Sequence, residues 1–388
     1  MSDVDVLFQP IKVGNVTARN RMAFAPCTRQ RAHVDGTPND LMTEYYRQRA
    51  GAGILITEGV TPSPNGTGYY GMPGLFTDDH QAAWRKVTDA VHGEGGAIFA
   101  QIMHVGRLSD PLLVPRHLKV VSASAVQPDP TARHYTVTCP RPKRPYGVPH
   151  ALTIPEIEAV VAEFADSARR AKAAGFDGVE IHGASGYLPM QFLSTNTNLR
   201  DDAYGGSVEK RARFLLECVE AMQRATDPHF VAVKVSPGWN FHNVFDDDPI
   251  ATYSHVAAEL SKRGIAFLEV GDYGQPWDVH ATLRPLFKGV YMGVAGFSRT
   301  TAAQALANGR MDMVAFGQGW IANPDLDVRF RKGLPLNAPD SSTYYTSGAE
   351  GYTDYPTYGQ LKGDEELLDP DSSFGLQRTP ARAPEPVA

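Results

Sequence analysis

The sequence predicts an α/β chain closed into a parallel (β/α)8 barrel, the TIM barrel. Eight short apolar runs recur along it, each followed by a helical pattern or a loop. No G-x-G-x-x-G follows the first run, which disfavours the doubly wound alternative. Pro26-Cys27-Thr28, Gly59, Gln101, His182, Ser236 and Gly317 stand where six of the runs end, and in such a barrel the chemistry sits at strand ends.

The elements follow in order. Strands are expected over 22–26, 53–58, 97–101, 178–182, 230–236, 266–270, 291–294 and 313–316, as short apolar runs bounded by turn residues. Helices are expected over 41–50, 78–92, 155–174, 208–225, 249–262, 300–308 and 324–331. The helix from 155 has Thr153 as its N-cap, proline in its first turn and Gly175 at its stop. Two segments break the rhythm. Residues 108–152 are too long for a strand–helix loop and read as an insertion capping the active face after strand three, with 134–138 as half of a small hairpin. Residues 363–388 are proline-rich and read as a flexible, disordered C-terminal tail, leaving 1–362 as a single barrel domain.

Composition narrows the function. Hydrophobic residues make up 42% of the chain, ample for a core. A net charge of −6 argues against a nucleic-acid or membrane surface. No apolar leader segment and no run of membrane-spanning length is present. Cys27, Cys139 and Cys218 lie far apart without ligand spacing, so no metal site is expected and a reduced, cytoplasmic protein is the economical reading. Asp246-Asp247-Asp248 reads as a solvated loop.

The chemistry centres on the end of the fourth run. His182, with Tyr187 five residues on, forms a donor pair suited to a polarised oxygen and to a carbon that needs a proton. The plainer reading of a lone tyrosine is a half-buried core residue with a satisfied hydroxyl. Phe241, Tyr273, Trp277 and Tyr291 suggest an aromatic cavity, though aromatics near a barrel mouth are as often packing.

Motifs spread from about Leu7 to Tyr358 resemble the old yellow enzymes, the FMN-dependent NADPH ene-reductases. They include Asn20-Arg21, Pro26-x-Thr28, Tyr45-Tyr46-x-Gln48-Arg49-Ala50, Thr57-Glu58-Gly59 and Gln101-x-x-His104-x-Gly106-Arg107. His182-x-x-Ser185-x-Tyr187 follows, then Arg200-x-Asp202-x-Tyr204-Gly205-Gly206-Ser207-x-Glu209, Asn323-Pro324-Asp325-Leu326 and Gly351-Tyr352-Thr353-Asp354-Tyr355-Pro356. The resemblance implies reduction of the activated C=C bond of an α,β-unsaturated carbonyl substrate, within a biosynthetic pathway. Hydride would come from FMN, itself reduced by NADPH, and the proton from Tyr187. His182 would hold the carbonyl oxygen. Pro26, Cys27, Thr28, Gly59, Gln101, Lys234, Gly296, Gly317, Gln318 and Tyr345 would meet the cofactor, and Ser185, Met103 and Tyr345 the substrate. Family members are monomers and dimers, so a monomer or a homodimer is expected.

Four positions depart from the family pattern. Ser185 stands for asparagine or histidine, Lys234 for the arginine at the flavin N1/O2 region, Gln318 for the phosphate-binding arginine, and Met103 for a frequent tryptophan. One lost charge-assisted hydrogen bond costs about 1.5–3 kcal/mol, about ten- to a hundredfold in affinity. Two such losses, at opposite ends of one cofactor, predict weakened FMN binding unless Arg284, Lys288 or Arg299 replaces the missing charge. An alternative therefore stays open beside the reductase: a non-redox isomerase or cyclase using Tyr187 and His182 as acid/base groups. A non-catalytic binding protein ranks behind both.

Overall fold

The computed structural model describes residues 4–128, 145–363 and 366–374. At its centre eight parallel strands close into a barrel. They are β1 (Met22–Phe24), β2 (Ile54–Val60), β3 (Ile98–Ile102), β4 (Gly178–Gly183), β5 (Val231–Val235), β6 (Phe267–Gly271), β7 (Val290–Val294) and β8 (Met313–Phe316). Each pairs with its neighbour in sequence, and β8 closes on β1. The strands are buried on both faces, which is why the sequence shows continuous apolar runs rather than alternation.

Helices Asp40–Gln48, Asp78–Gly93, Ile154–Ala173, Val208–Ala225, Pro249–Lys262 and Arg299–Ala307 lie outside the barrel, their apolar faces in one core with the outward side chains of the strands. Thr153 caps its helix in a full capping box with Glu156. Val13 and Ala18, on the antiparallel strands Ile11–Val13 and Val16–Ala18, join the interior cluster of Ala23, Ile54, Phe99 and Phe267.

Two expectations change. The helix expected over 324–331 forms as Leu326–Lys332, with a separate short helix, Gln318–Ala322, ahead of it. Pro324 disfavours helical backbone at Asn323, which is extended at φ −128 and ψ 93. Helix Leu188–Leu193 was too short to read from periodicity. Asp246 is not solvated: its side chain is 2% exposed and pairs with Arg211 at 3.4 Å. The tail expected to be free from 363 is anchored over 366–374: Leu367–Leu368 pairs with Leu336–Asn337, and the Thr300 N–H donates to Asp371 at 2.7 Å. Residues 375–388 lie outside the described residues, as do Cys139 and the hairpin half at 134–138. In the insertion, Val121–Ser122 pairs in parallel with His150–Ala151, and Leu108 and Tyr146 reach the cluster at the barrel mouth. Among the described residues no helix is long and apolar enough to cross a membrane.

Candidate active site

Alternation along each strand sets the contents of the barrel. Phe99, Ala232 and Phe267 fill its lower interior. Two residues further along the same strands come Gln101, Lys234 and Glu269, joined by Glu180 of β4, all buried. Lys234 Nζ lies 2.7 Å from Glu269 Oε1. Gln101 Nε2 donates to Glu180 Oε1 at 2.8 Å. Burial, and then the charge of Glu269, raise Glu180 well above the usual carboxylate range. Burial pulls Lys234 down, but Glu269 outweighs it and holds the ammonium above its ordinary range. This layer is one lysine, two carboxyl groups and one amide.

His182 sits above it, paired in register with Lys234. Burial, then the Lys234 charge, push His182 well below the usual histidine range, which makes it a neutral imidazole. Its Nδ1 is buried without a partner among the described residues. Tyr187 caps helix Leu188–Leu193, its ring edge-on to His182 with centroids 4.9 Å apart. Burial raises the Tyr187 phenol, so it stays protonated. Its hydroxyl shares a 2.5 Å hydrogen bond with that of Tyr69. Met72, Met103, Val105, Leu108 and Tyr146 pack around the pair.

Ser185 lies beside them in the left-handed region at φ 56, and its N–H donates to Ser236 Oγ at 3.0 Å. Asparagine tolerates that backbone better than serine does. Met103 is buried over β2, where a Cβ on Gly59 would come within 2.3 Å of its Cε, so the thioether would have to move for any larger residue there. Tyr345 is 51% exposed at the rim.

The loop after β5 closes one side. Trp239 stacks on Tyr273 at 3.9 Å and on Phe241 at 4.3 Å, and His242 faces Tyr187 at 6.2 Å between ring centroids. Arg107 Nη2 holds this loop through the carbonyls of His242 and Asn243, at 3.2 and 2.6 Å. Tyr291 does not line the mouth: its hydroxyl meets His280 Nδ1 at 3.0 Å within the strand–helix core, where Trp277 also packs.

The cofactor candidates gather at the other side. Pro26, Cys27 and Thr28 follow β1, half-buried, and burial pushes the Cys27 thiol up to about 11. A Cβ on Gly317 would sit 3.2 Å from Cys27 Sγ, so the ends of β8 and β1 meet. Ala295 and Gly296 both take positive φ, at 85 and 74, and bend the chain directly after β7. Gly296 is exposed, with nothing within 4 Å of where a Cβ would lie, and Gln318 opens helix Gln318–Ala322 directly after Gly317. These residues fit FMN at its phosphate end, and His182 with Tyr187 fits a ligand above its ring. Lys234 and Gln101 would meet the ring while already bonded to this chain's own carboxylates. Arg284 and Lys288 do not replace the missing arginine: both precede β7, at the opposite end of the barrel, where Arg284 pairs with Asp312 at 3.1 Å. Arg299 follows β7 on the cradle side, and its Nε is buried without a partner among the described residues.

Fold and mouth together define a (β/α)8 barrel with buried ionisable groups gathered at its strand ends, where such barrels carry their chemistry. Comparison supplies the particular family. Residues 6–337 match the model of the NADH:flavin oxidoreductase / NADH oxidase family, and the chain belongs to that family, the old yellow enzymes. It is 40% identical over 356 residues to a probable flavin mononucleotide-dependent alkene reductase of Leishmania infantum, covering 91% of this chain and 98% of that one. It is 38% identical over 361 residues to 12-oxophytodienoate reductase 2 of Arabidopsis thaliana, covering 90% and 95%. The structure of morphinone reductase in complex with tetrahydroNAD superposes with a TM-score of 0.88 at 40% identity, covering 93% of this chain and 99% of the other. The protein is an FMN-dependent NAD(P)H oxidoreductase of this family.

Sequence reasoning did not single out Tyr69, Glu180, Glu269, Trp239 or His242. For Glu180 and Glu269 a signal existed, since each shares strand parity with an inward-facing residue. For Tyr69, 118 residues from Tyr187, none did.

Proposed function

We propose that the protein reduces the C=C bond of an α,β-unsaturated carbonyl compound at the expense of NADPH. The observation that carries this is the neutral His182 with an open nitrogen set edge-on to a protonated Tyr187. When bound, FMN supplies the hydride. Pro26, Cys27, Thr28, Gly59, Gln101, Lys234 and Tyr345 would hold its ring, and Gly296, Gly317 and Gln318 its phosphate. His182 donates to the substrate carbonyl oxygen and stabilises the charge that grows there. Tyr187 gives its proton to the α-carbon. Phenols are weak acids, and placement in a dry mouth makes this one competent. Ser185, Met103 and Tyr345 shape the substrate face.

FMN is held more weakly than an arginine pair would hold it, because Lys234 spends its charge on Glu269. That same observation favours the second reading, isomerisation or cyclisation without net redox. Titration with FMN, followed by assay of 2-cyclohexen-1-one with NADPH, separates the two. The reductase turns yellow and consumes NADPH with the enone. Protein that stays colourless yet converts a conjugated carbonyl compound without NADPH, and loses this on Tyr187→Phe, is the isomerase.

A further inference from the structure

The hydrogen-bond partner that the structure gives Tyr187 is another buried phenol, Tyr69, at 2.5 Å. Burial, then the neighbouring Tyr187, hold Tyr69 well above the ordinary phenol range, so both hydroxyls are protonated and each can donate or accept. The side chains packed around the pair are mainly apolar, with Met72, Met103, Val105 and Leu108 closing them off. Tyr187 is 7% exposed. Once it had given up a proton, it would be a phenolate in a poorly hydrated place, with its refill route narrowed to whatever its hydroxyl touches.

Tyr69 touches something else as well. It lines a cavity of about 480 Å³, together with Thr61, Thr67, Met72, Asp35 and Leu112. Val34, Leu112 and Tyr70 at that cavity are 76%, 52% and 39% exposed, so it opens to solvent. Its polar groups suit ordered water.

We propose that Tyr69 is the relay through which Tyr187 is reprotonated, with this side cavity as the water entry. The proposal rests on Tyr187 as the proton donor. The Tyr187 O–H bond breaks as the substrate α-carbon gains its C–H bond. The phenolate then takes the Tyr69 proton, and Tyr69 takes one from cavity water. The hydroxide left behind is neutralised by bulk solvent, so each turnover consumes one solvent proton. Both groups are phenols, so the transfer exchanges one phenolate for another.

The test uses full-length protein loaded with FMN, with NADPH and 2-cyclohexen-1-one. Tyr69→Phe keeps the ring and removes the hydroxyl. Its kcat should fall at least about tenfold, with KM within about twofold, and the solvent deuterium isotope effect on kcat should rise above that of the wild type. A packing role for Tyr69 would move KM or thermal stability and leave the isotope effect alone. Thr67→Val, which alters only the cavity wall, should lower kcat less and in the same direction. Unchanged kcat and isotope effect in Tyr69→Phe, alongside a crippled Tyr187→Phe, overturn the relay and leave the proposed function standing. An unimpaired Tyr187→Phe, or a wild type that reduces no enone, overturns both.

Discussion

The two sides of the barrel mouth differ in how they satisfy their polar groups. On the β2–β4 side His182 keeps a buried nitrogen without a partner among the described residues, and the hydroxyl of Tyr187 meets another hydroxyl. On the β5–β8 side Lys234 pairs with Glu269, and the positions where the family carries arginine hold Lys234 and Gln318. A site keeps polar atoms unpaired at a cost, since a buried donor without a partner loses about 1–3 kcal/mol. Both sides bear some of that cost, since Glu269 Oε2 and Arg299 Nε are also buried without a partner among the described residues. The difference is that the β5–β8 side pairs its buried lysine with a carboxylate, while His182 has no such counter-charge.

This contrast can be broken at several points. The largest effect is expected from Tyr187→Phe, which should lower enone reduction by about 10²–10⁴-fold in steady-state assays while NADPH still bleaches the bound flavin. Equal loss of both half-reactions would mean that Tyr187 supports the fold of the mouth rather than proton transfer. Lys234→Met comes next. It strands Glu269 in the barrel interior, and removing one partner of a buried pair costs about 3–5 kcal/mol, read as a lower denaturant midpoint. A neutral result would show that Glu269 is already protonated. Gln318→Arg should tighten FMN by about ten- to a hundredfold in fluorescence titrations; no change would mean that Arg299 already serves the phosphate. Smallest is Ala295→Gly. The residue sits at φ 85, and relieving it should add about 1 kcal/mol of stability.

The pH profile sharpens the same comparison. His182 is pushed below its ordinary value of 6.5, and the Tyr187 phenol above its ordinary 10. Imidazolium formation would need acid well below 6.5, and phenolate formation would need base well above 10. The enone-reduction rate should therefore be flat from about pH 7 to 9. A limb inside that window would assign rate control to another group.

Much of the barrel was legible because parallel strands buried on both faces leave unbroken apolar runs. The strand ends fell within two residues of the observed ones, the largest differences being β1, which stops at Phe24, and β2, which runs on to Val60. His182, Tyr187 and Gln101 were legible for the same reason, since they follow such runs. What stayed hidden depends on pairing between distant strands. Lys234 reads in sequence as a weak substitute for arginine. Only the register that sets Glu269 beside it shows where its charge goes. Tyr69 lies on a loop without periodicity, and only folding brings it to Tyr187.

Reduction of 2-cyclohexen-1-one by NADPH in D2O, with the product read by NMR, tests the central claim most directly. The account predicts a single deuterium at the α-carbon, none at the β-carbon, and loss of this product in Tyr187→Phe. Deuterium at both carbons, or conversion without NADPH consumption, would contradict it.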